Sequence, residues 1–174
     1  MPRGFLCTHI LSVRMVDMLV RLYALPEGEP LRAAAAEQGV LVRVCRPYEM
    51  HAVEKWIAAT FSTRWVSEFQ VAMAHQPAGC IIATREHEVV GFACYDATMR
   101  GFVGPMGVDP SLRMGGVGKA LLVSALEQMR ALGYGYAVIG GVGPQEFYAK
   151  CVGATVIENS SPGIYADILP EPKC

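Results

Sequence analysis

The sequence lacks a charge excess of either sign: Lys and Arg number 15 against 16 Asp and Glu, a formal net charge of −1. Nucleic-acid binders carry a basic excess or stripe, and the longest basic cluster here is Arg43 with Arg46, so no nucleic-acid partner is expected. No apolar run approaches the ~18 residues of a membrane span. The first stretch, Met1 to Val13, is broken by Thr8 and His9 and has no small-residue cleavage site, so neither a membrane partner nor a secretory leader is expected. Met15 and Met18 are alternative starts, and the first 17 or so residues read as a poorly packed extension. The six cysteines (Cys7, Cys45, Cys80, Cys94, Cys151 and Cys174) form no C-x-x-C and have no paired histidine spacing. That pattern excludes a disulfide scaffold, gives no metal site, and reads as free buried thiols of a cytoplasmic protein.

Charged residues are also scarce, at 18%, while apolar residues reach 52% of 174. Such a chain has ample side chain for one core and is not disordered. Glycine is abundant and unevenly placed. Of 18 glycines, 12 fall between Gly101 and Gly153, where average usage would place about four. That third of the chain needs bare backbone.

Strands are expected at Met18–Ala24, Val40–Cys45, Cys80–Thr84, Val89–Asp96, Phe102–Val108, Tyr136–Ile139, Ala154–Ile157 and Ile164–Leu169. Helices are expected at Leu31–Gln38, from Pro47 to Phe61, from a Ser62 or Thr63 cap to Ala74, at Met114–Leu132 and at Pro144–Cys151. Arg85–Glu88 reads as a hairpin turn, and Gly39 and Gly133 as helix ends. There are no repeats or linkers. Helices and strands mix without strict alternation, which indicates an α+β or α/β class with a largely antiparallel sheet.

The chemistry is concentrated in Gly104–Lys119, where a strand runs into a glycine-rich loop and then into a long amphipathic helix. Free N–H groups and the positive helix end together make an anion site, to which Arg113 and Lys119 add charge. A diphosphate is the natural guest. The Walker pattern fails, because position 113 is Arg rather than Gly and position 120 is Ala, with no hydroxyl for Mg²⁺. The dinucleotide pattern fails too, because Leu121 stands where its third glycine belongs.

The residues that are present resemble the GNAT superfamily of acyl-CoA-dependent N-acyltransferases. The loop form Q/R-x-x-G-x-G/A is matched by Arg113, Gly116 and Gly118, and the preceding V-x-P by Val108-Asp109-Pro110. A second match, Phe147-Tyr148-Ala149-Lys150 followed by Gly153-Ala154, lies about 30 residues downstream. The resemblance covers roughly Val40 to Leu169. It implies an α+β, three-layer fold with a splayed, mixed, mostly antiparallel sheet flanked by helices. Residues 1–39 would then be an N-terminal extension packed on an acyltransferase-like domain of residues 40–174. Acetyl-CoA would lie where the strand ending at Val108 parts from the strand ending near Ile139. The resemblance assigns backbone of Met106, Gly107 and Val108 to its pantetheine arm, and the loop Arg113, Met114, Gly115, Gly116, Val117, Gly118 and Lys119 to its pyrophosphate. Gly140, Gly141 and Gly143 would line the opposite wall.

By the same resemblance the activity is N-acetyl transfer from acetyl-CoA to a primary amine of a small molecule, with Tyr148 as general acid to the CoA thiolate and no metal. A tyrosine hydroxyl with an ordinary pKa near 10 is competent for that at neutral pH. The alternative is a non-catalytic CoA-binding sensor or assembly module, because Phe102–Val108 has no titratable side chain where relatives carry a base. Asp96, Glu146, His75 and His87 remain as bases, beside a water relay. Trp56, Phe61, Trp65 and Phe69 read chiefly as packing, and Tyr95 and Asp96 as the better acceptor-side candidates. A homodimer through the Met18–Ala24 strand is a further expectation.

Overall fold

The computed structural model describes residues 15–112 and 115–170. In chain order the elements are β1 (Val16–Arg21), α1 (Gly28–Glu37), β2 (Val40–Val44), α2 (Met50–Thr60) and α3 (Thr63–Met73). These are followed by β3 (Cys80–Arg85), β4 (Glu88–Tyr95), β5 (Phe102–Val108), α4 (Val117–Ala131), β6 (Tyr136–Val142), α5 (Gln145–Val152) and β7 (Thr155–Val156). Seven strands form one open sheet in the order β2-β3-β4-β5-β6-β1-β7. Every pairing is antiparallel except β5 with β6.

The alternation of strand side chains divides the core between two faces. Ile81, Ala83, Ala93 and Tyr95 pack toward Leu121, Leu122, Leu126 and Met129 of α4. Their neighbours Cys80, Ile82, Phe92 and Cys94 pack toward Val53 and Ile57 of α2 and Phe69 of α3. With period-2 strands both faces must be covered, which gives three layers. Trp56 and Phe61 meet edge to face at 5.5 Å over this second core, while Phe69 is fully buried in it. Cys45, Cys80 and Cys94 are buried free thiols and Cys151 is half-buried, whereas Cys7 and Cys174 lie outside the described residues.

Several boundaries follow tertiary context. Helix α1 starts at Gly28 rather than Leu31, because a proline is tolerated in a first turn; Glu127 of α4 accepts the Gly28 N–H at 3.0 Å. Ser62 caps α3 by accepting from Trp65 N. The β3–β4 hairpin turns on Glu86 and His87, at φ 51° and 67°, the primed-turn geometry that suits strand twist. Leu22–Ala24 is a 3₁₀ turn rather than strand. Strand β1 lies between β6 and β7, and β7 pairs with it at Met18 and Leu19. Val16 and Asp17 belong to β1 and Met15 precedes it, while residues 1–14 lie outside the described residues.

Strand β6 runs past Ile139 to Val142, because β1 supplies it with a partner that a glycine-rich sequence does not advertise. Ile164–Leu169 is not a strand. Gly163–Tyr165 forms a 3₁₀ turn, since this segment leaves the sheet at Ser160 and turns Tyr165 and Ile168 into a cleft instead of a ladder. Among the described residues no helix is long and apolar enough to cross a membrane.

Candidate functional site

Strands β5 and β6 pair only at Phe102–Val138 and Val103–Ile139, and then part. The cause is visible in both strands. Between Tyr95↔Val103 and Ala93↔Met106, β5 spends one residue more than β4, at Gly104–Pro105. Between Met18↔Ile139 and Val16↔Val142, β6 likewise spends one more than β1, at Gly140–Gly141. A bulge bends its strand, and two bulges at the same level bend neighbouring strands apart. The proline at 105 removes a ladder donor where the ladder is already broken. Asp17 Oδ1 accepts the Gly141 N–H at 2.8 Å, which fixes the second bulge.

The gap is a cleft of 720 Å³, within the range of small-molecule sites. On the β5 side, the Asp109 N–H donates to Val90 O at 2.9 Å. Antiparallel pairs alternate, so the Gly107 N–H turns toward Phe92 of β4, whereas those of Met106 and Val108 turn to the open side. The Phe61 ring lies against Gly107 so closely that a Cβ there would overlap it. Glycine at 107 is therefore a packing requirement as well as a bare stretch of wall.

The cleft ends on the start of α4, where Gly118 lines it. Gly116 is the N-cap at φ 78° and ψ −3°, a left-handed conformation that costs other residues roughly 1–2 kcal/mol. A Cβ at Gly116 would meet nothing within 4 Å, so conformation rather than crowding selects glycine here. The first N–H groups of a helix have no partner within it, and a glycine cap has no side chain to cover them. Gln38 ties the loop to α1 by donating to Gly115 O at 2.9 Å. Among the described residues Lys119 makes no ion pair, and its charge pulls the Cys151 thiol down against the stronger upward push of burial. Arg113 and Met114 lie outside the described residues.

Helix α5 brings Phe147 and Tyr148 to the cleft between its two walls, with ring centroids 5.1 Å apart at 76°. Burial holds the Tyr148 hydroxyl above its ordinary value near 10, and the Cys151 thiol adds in the same direction. The hydroxyl makes no hydrogen bond among the described residues and stays protonated at neutral pH.

The expected bases are elsewhere. The Asp96 carboxylate accepts from Gly101 N at 2.7 Å and Tyr134 Oη at 2.9 Å, holding the β4–β5 turn. Glu146 pairs with Lys150 on an exposed face, His75 meets Asp96 O, and His87 sits in the hairpin turn. Tyr95 is a core residue at 2% exposure. None of these lines the cleft. The carboxylate that does line it is Glu68 of α3, together with Arg64, Thr98 and Tyr165. One signal pointed to it: Glu68 flanks the Trp65–Phe69–Met73 stripe, where an otherwise apolar helix face meets the site.

The model of the acetyltransferase (GNAT) family matches residues 49–154. No curated protein matches the chain by sequence. Among solved structures, the GCN5-related glucosamine N-acetyltransferase region of a fungal multi-domain GH3 beta-N-acetylglucosaminidase is similar at a TM-score of 0.67 and 14% identity, over 82% of this chain and 19% of that one. A GCN5-related N-acetyltransferase from Sphaerobacter thermophilus gives 0.63 and 20%, over 82% and 48%. One from Kribbella flavida gives 0.57 and 19%, over 83% and 55%. The chain thus spans less than two thirds of each of these proteins, and the likeness is one of fold.

Proposed function

The chain belongs to the acetyltransferase (GNAT) family, and from that premise we propose that it is an N-acetyltransferase moving an acetyl group from acetyl-CoA to a primary amine of a small molecule. The observation that carries this reading is the parting of β5 from β6 over a glycine-lined cleft that runs to the start of α4 and has Tyr148 on its wall. The residues present suit such a donor: an open strand edge for an extended arm, and an uncapped helix start with Lys119 beside it for a diphosphate.

Bound acetyl-CoA supplies an acetyl group activated as a thioester, so that a C–N bond forms as the C–S bond breaks. The N–H groups of Met106 and Val108 hold the donor's arm as an added strand would, and the Met106 N–H polarises the thioester carbonyl. Gly107 keeps the wall flat under Phe61. The N–H groups of residues 116–119 hold the diphosphate together with the Lys119 side chain, while the Gly115 N–H is spent on Leu112 O at 3.2 Å; the resemblance adds Arg113, Met114 and Gly115 to that loop. Tyr148 Oη gives its proton to the departing sulfur, and its elevated pKa keeps that proton available at neutral pH.

A thiol-release screen of acetyl-CoA against a library of amines tests the reading. Release that depends on the amine, and that drops in Tyr148→Phe, is expected. No release with any amine, together with no thermal stabilisation by acetyl-CoA or CoA, would overturn it.

A further inference from the structure

Beyond the strands, the cleft is completed by α3 and by the segment after β7. That segment is fastened at both ends: Asp17 N–H donates to Ser160 Oγ at 2.8 Å, and Arg64 Nη2 donates to Leu169 O at 2.8 Å. It lays Tyr165 over Gly140 and Gly141. The Tyr165 hydroxyl is pushed up to about 12 by burial first, then by the Asp17 and Glu68 carboxylates, so it remains a neutral donor on the cleft wall.

Arg64 and Glu68 are the only charged residues among the described residues that line the cleft. They lie four apart on one helix, hence on the same face one turn apart, yet they form no ion pair with each other within 4.0 Å among the described residues. Glu68 Oε1 accepts the Thr98 hydroxyl, which orients the carboxylate and leaves Oε2 for a ligand. Arg64 gives Leu169 one of its five N–H donors, and the rest of the fork can face a carboxylate. The helix that carries both is held by Phe69, fully buried one residue beyond Glu68. Apart from the Thr98 hydroxyl, the lining around the pair is apolar or aromatic, with Trp65 and Ile168.

One anion and one cation in an otherwise uncharged chamber match a ligand with one of each. A simple amine leaves the guanidinium idle, and a polyamine meets one carboxylate with a repelling arginine beside it. We propose that the acceptor is an α-amino acid with an apolar side chain, its ammonium held by Glu68 and its carboxylate by Arg64. The proposal rests on the acetyl-transfer reading and deepens it. In the reaction the ammonium loses one proton to Glu68 and from there to solvent, and the neutral nitrogen attacks. Its second proton then leaves by the same carboxylate or a water. Tyr148 protonates the sulfur and is reprotonated from solvent, so one proton is released overall for each N-acetylamino acid and CoA thiol formed.

The test is calorimetric titration of the CoA-loaded protein with L-leucine, L-methionine and L-phenylalanine. In parallel, 3-methylbutylamine (leucine without its carboxylate) and 4-methylpentanoate (leucine without its ammonium) are titrated, and all are repeated in Arg64→Gln and Glu68→Gln. At least one amino acid is expected to bind, and each truncated probe at least tenfold more weakly than L-leucine. Arg64→Gln is expected to abolish the preference for L-leucine over 3-methylbutylamine, and Glu68→Gln to weaken every ammonium-bearing probe at least tenfold. An unchanged melting temperature in both variants excludes misfolding, and Glu68→Asp should restore part of the lost affinity. The proposal is overturned if CoA binds but none of the three amino acids does, if 3-methylbutylamine binds as well as L-leucine, or if Arg64→Gln keeps the preference. Failure of CoA itself to bind overturns the acetyl-transfer reading beneath it.

Discussion

From Val103 to Val108 and from Ile139 to Val142 the sheet offers the cleft only glycine, proline and apolar side chains, whereas α3 offers it Arg64 and Glu68. The two regions bind by different means. A wall made of main chain recognises a ligand by hydrogen-bonding direction and close approach, so one wall can serve the same donor across many sequences. A wall made of side chains recognises by charge and shape, and can change its ligand with two substitutions. In the proposed division of labour the sheet and the α4 loop hold the donor, while α3 and the segment after β7 select the acceptor.

The sharpest way to break that division is to put a side chain on the main-chain wall. Gly116→Glu brings a carboxylate and left-handed strain to the helix start where the diphosphate is to sit. Acetyl-CoA affinity measured by calorimetry should fall at least a hundredfold, about 2.7 kcal/mol. Gly116→Ala adds only the strain, roughly 1–2 kcal/mol, which the free and the bound protein carry alike, so it should lower the melting temperature and leave acetyl-CoA affinity within a few-fold of wild type. If Gly116→Glu binds acetyl-CoA like the wild type, the main-chain wall is not the donor site.

Removing the hydroxyl between the two regions comes next. Tyr148→Phe should lower kcat by about a hundredfold, the low end for a general acid, with little change in acetyl-CoA affinity. A pH profile sharpens the same point. The acid works while protonated, and burial raises its pKa, so the active form persists to higher pH than for an ordinary tyrosine. The alkaline loss of kcat should therefore fall above pH 10, and that limb should vanish in Tyr148→Phe. A limb near pH 8 would assign the proton to another group.

The smallest effect belongs to a site on neither wall. The Arg43 guanidinium, bonded to both oxygens of Glu49, holds that carboxyl below its usual range. A depressed carboxyl contributes stability above its unfolded pKa and loses it as pH falls through the folded one. Glu49→Gln should lower stability by about 1 kcal/mol at pH 7, read by urea unfolding, with less loss near pH 3 and no change in either ligand's affinity.

The donor half was far more legible in the sequence than the acceptor half, for a physical reason. A strand, a glycine loop and a helix must follow one another directly, so Val108, Gly116, Gly118 and Tyr148 leave a local pattern. The splay itself was only half legible, since the bulge at Gly140–Gly141 depends on pairing with Val16 and Met18, more than 120 residues away in the chain. The acceptor half is assembled from Arg64, Thr98 and Tyr165, which share no local pattern at all. Nothing in the sequence but its place beside an apolar helix stripe singles out Glu68, whereas Asp96, the carboxylate expected on the acceptor side, is spent on its turn-holding bonds to Gly101 and Tyr134.

The most direct measurement is calorimetric titration of acetyl-CoA into the wild-type chain and into Gly116→Glu. Saturable binding at one site per chain, lost in the variant while its melting temperature stays within a few degrees of wild type, is the predicted result. No binding and no thermal stabilisation of the wild-type chain at millimolar acetyl-CoA or CoA would contradict the account at its base.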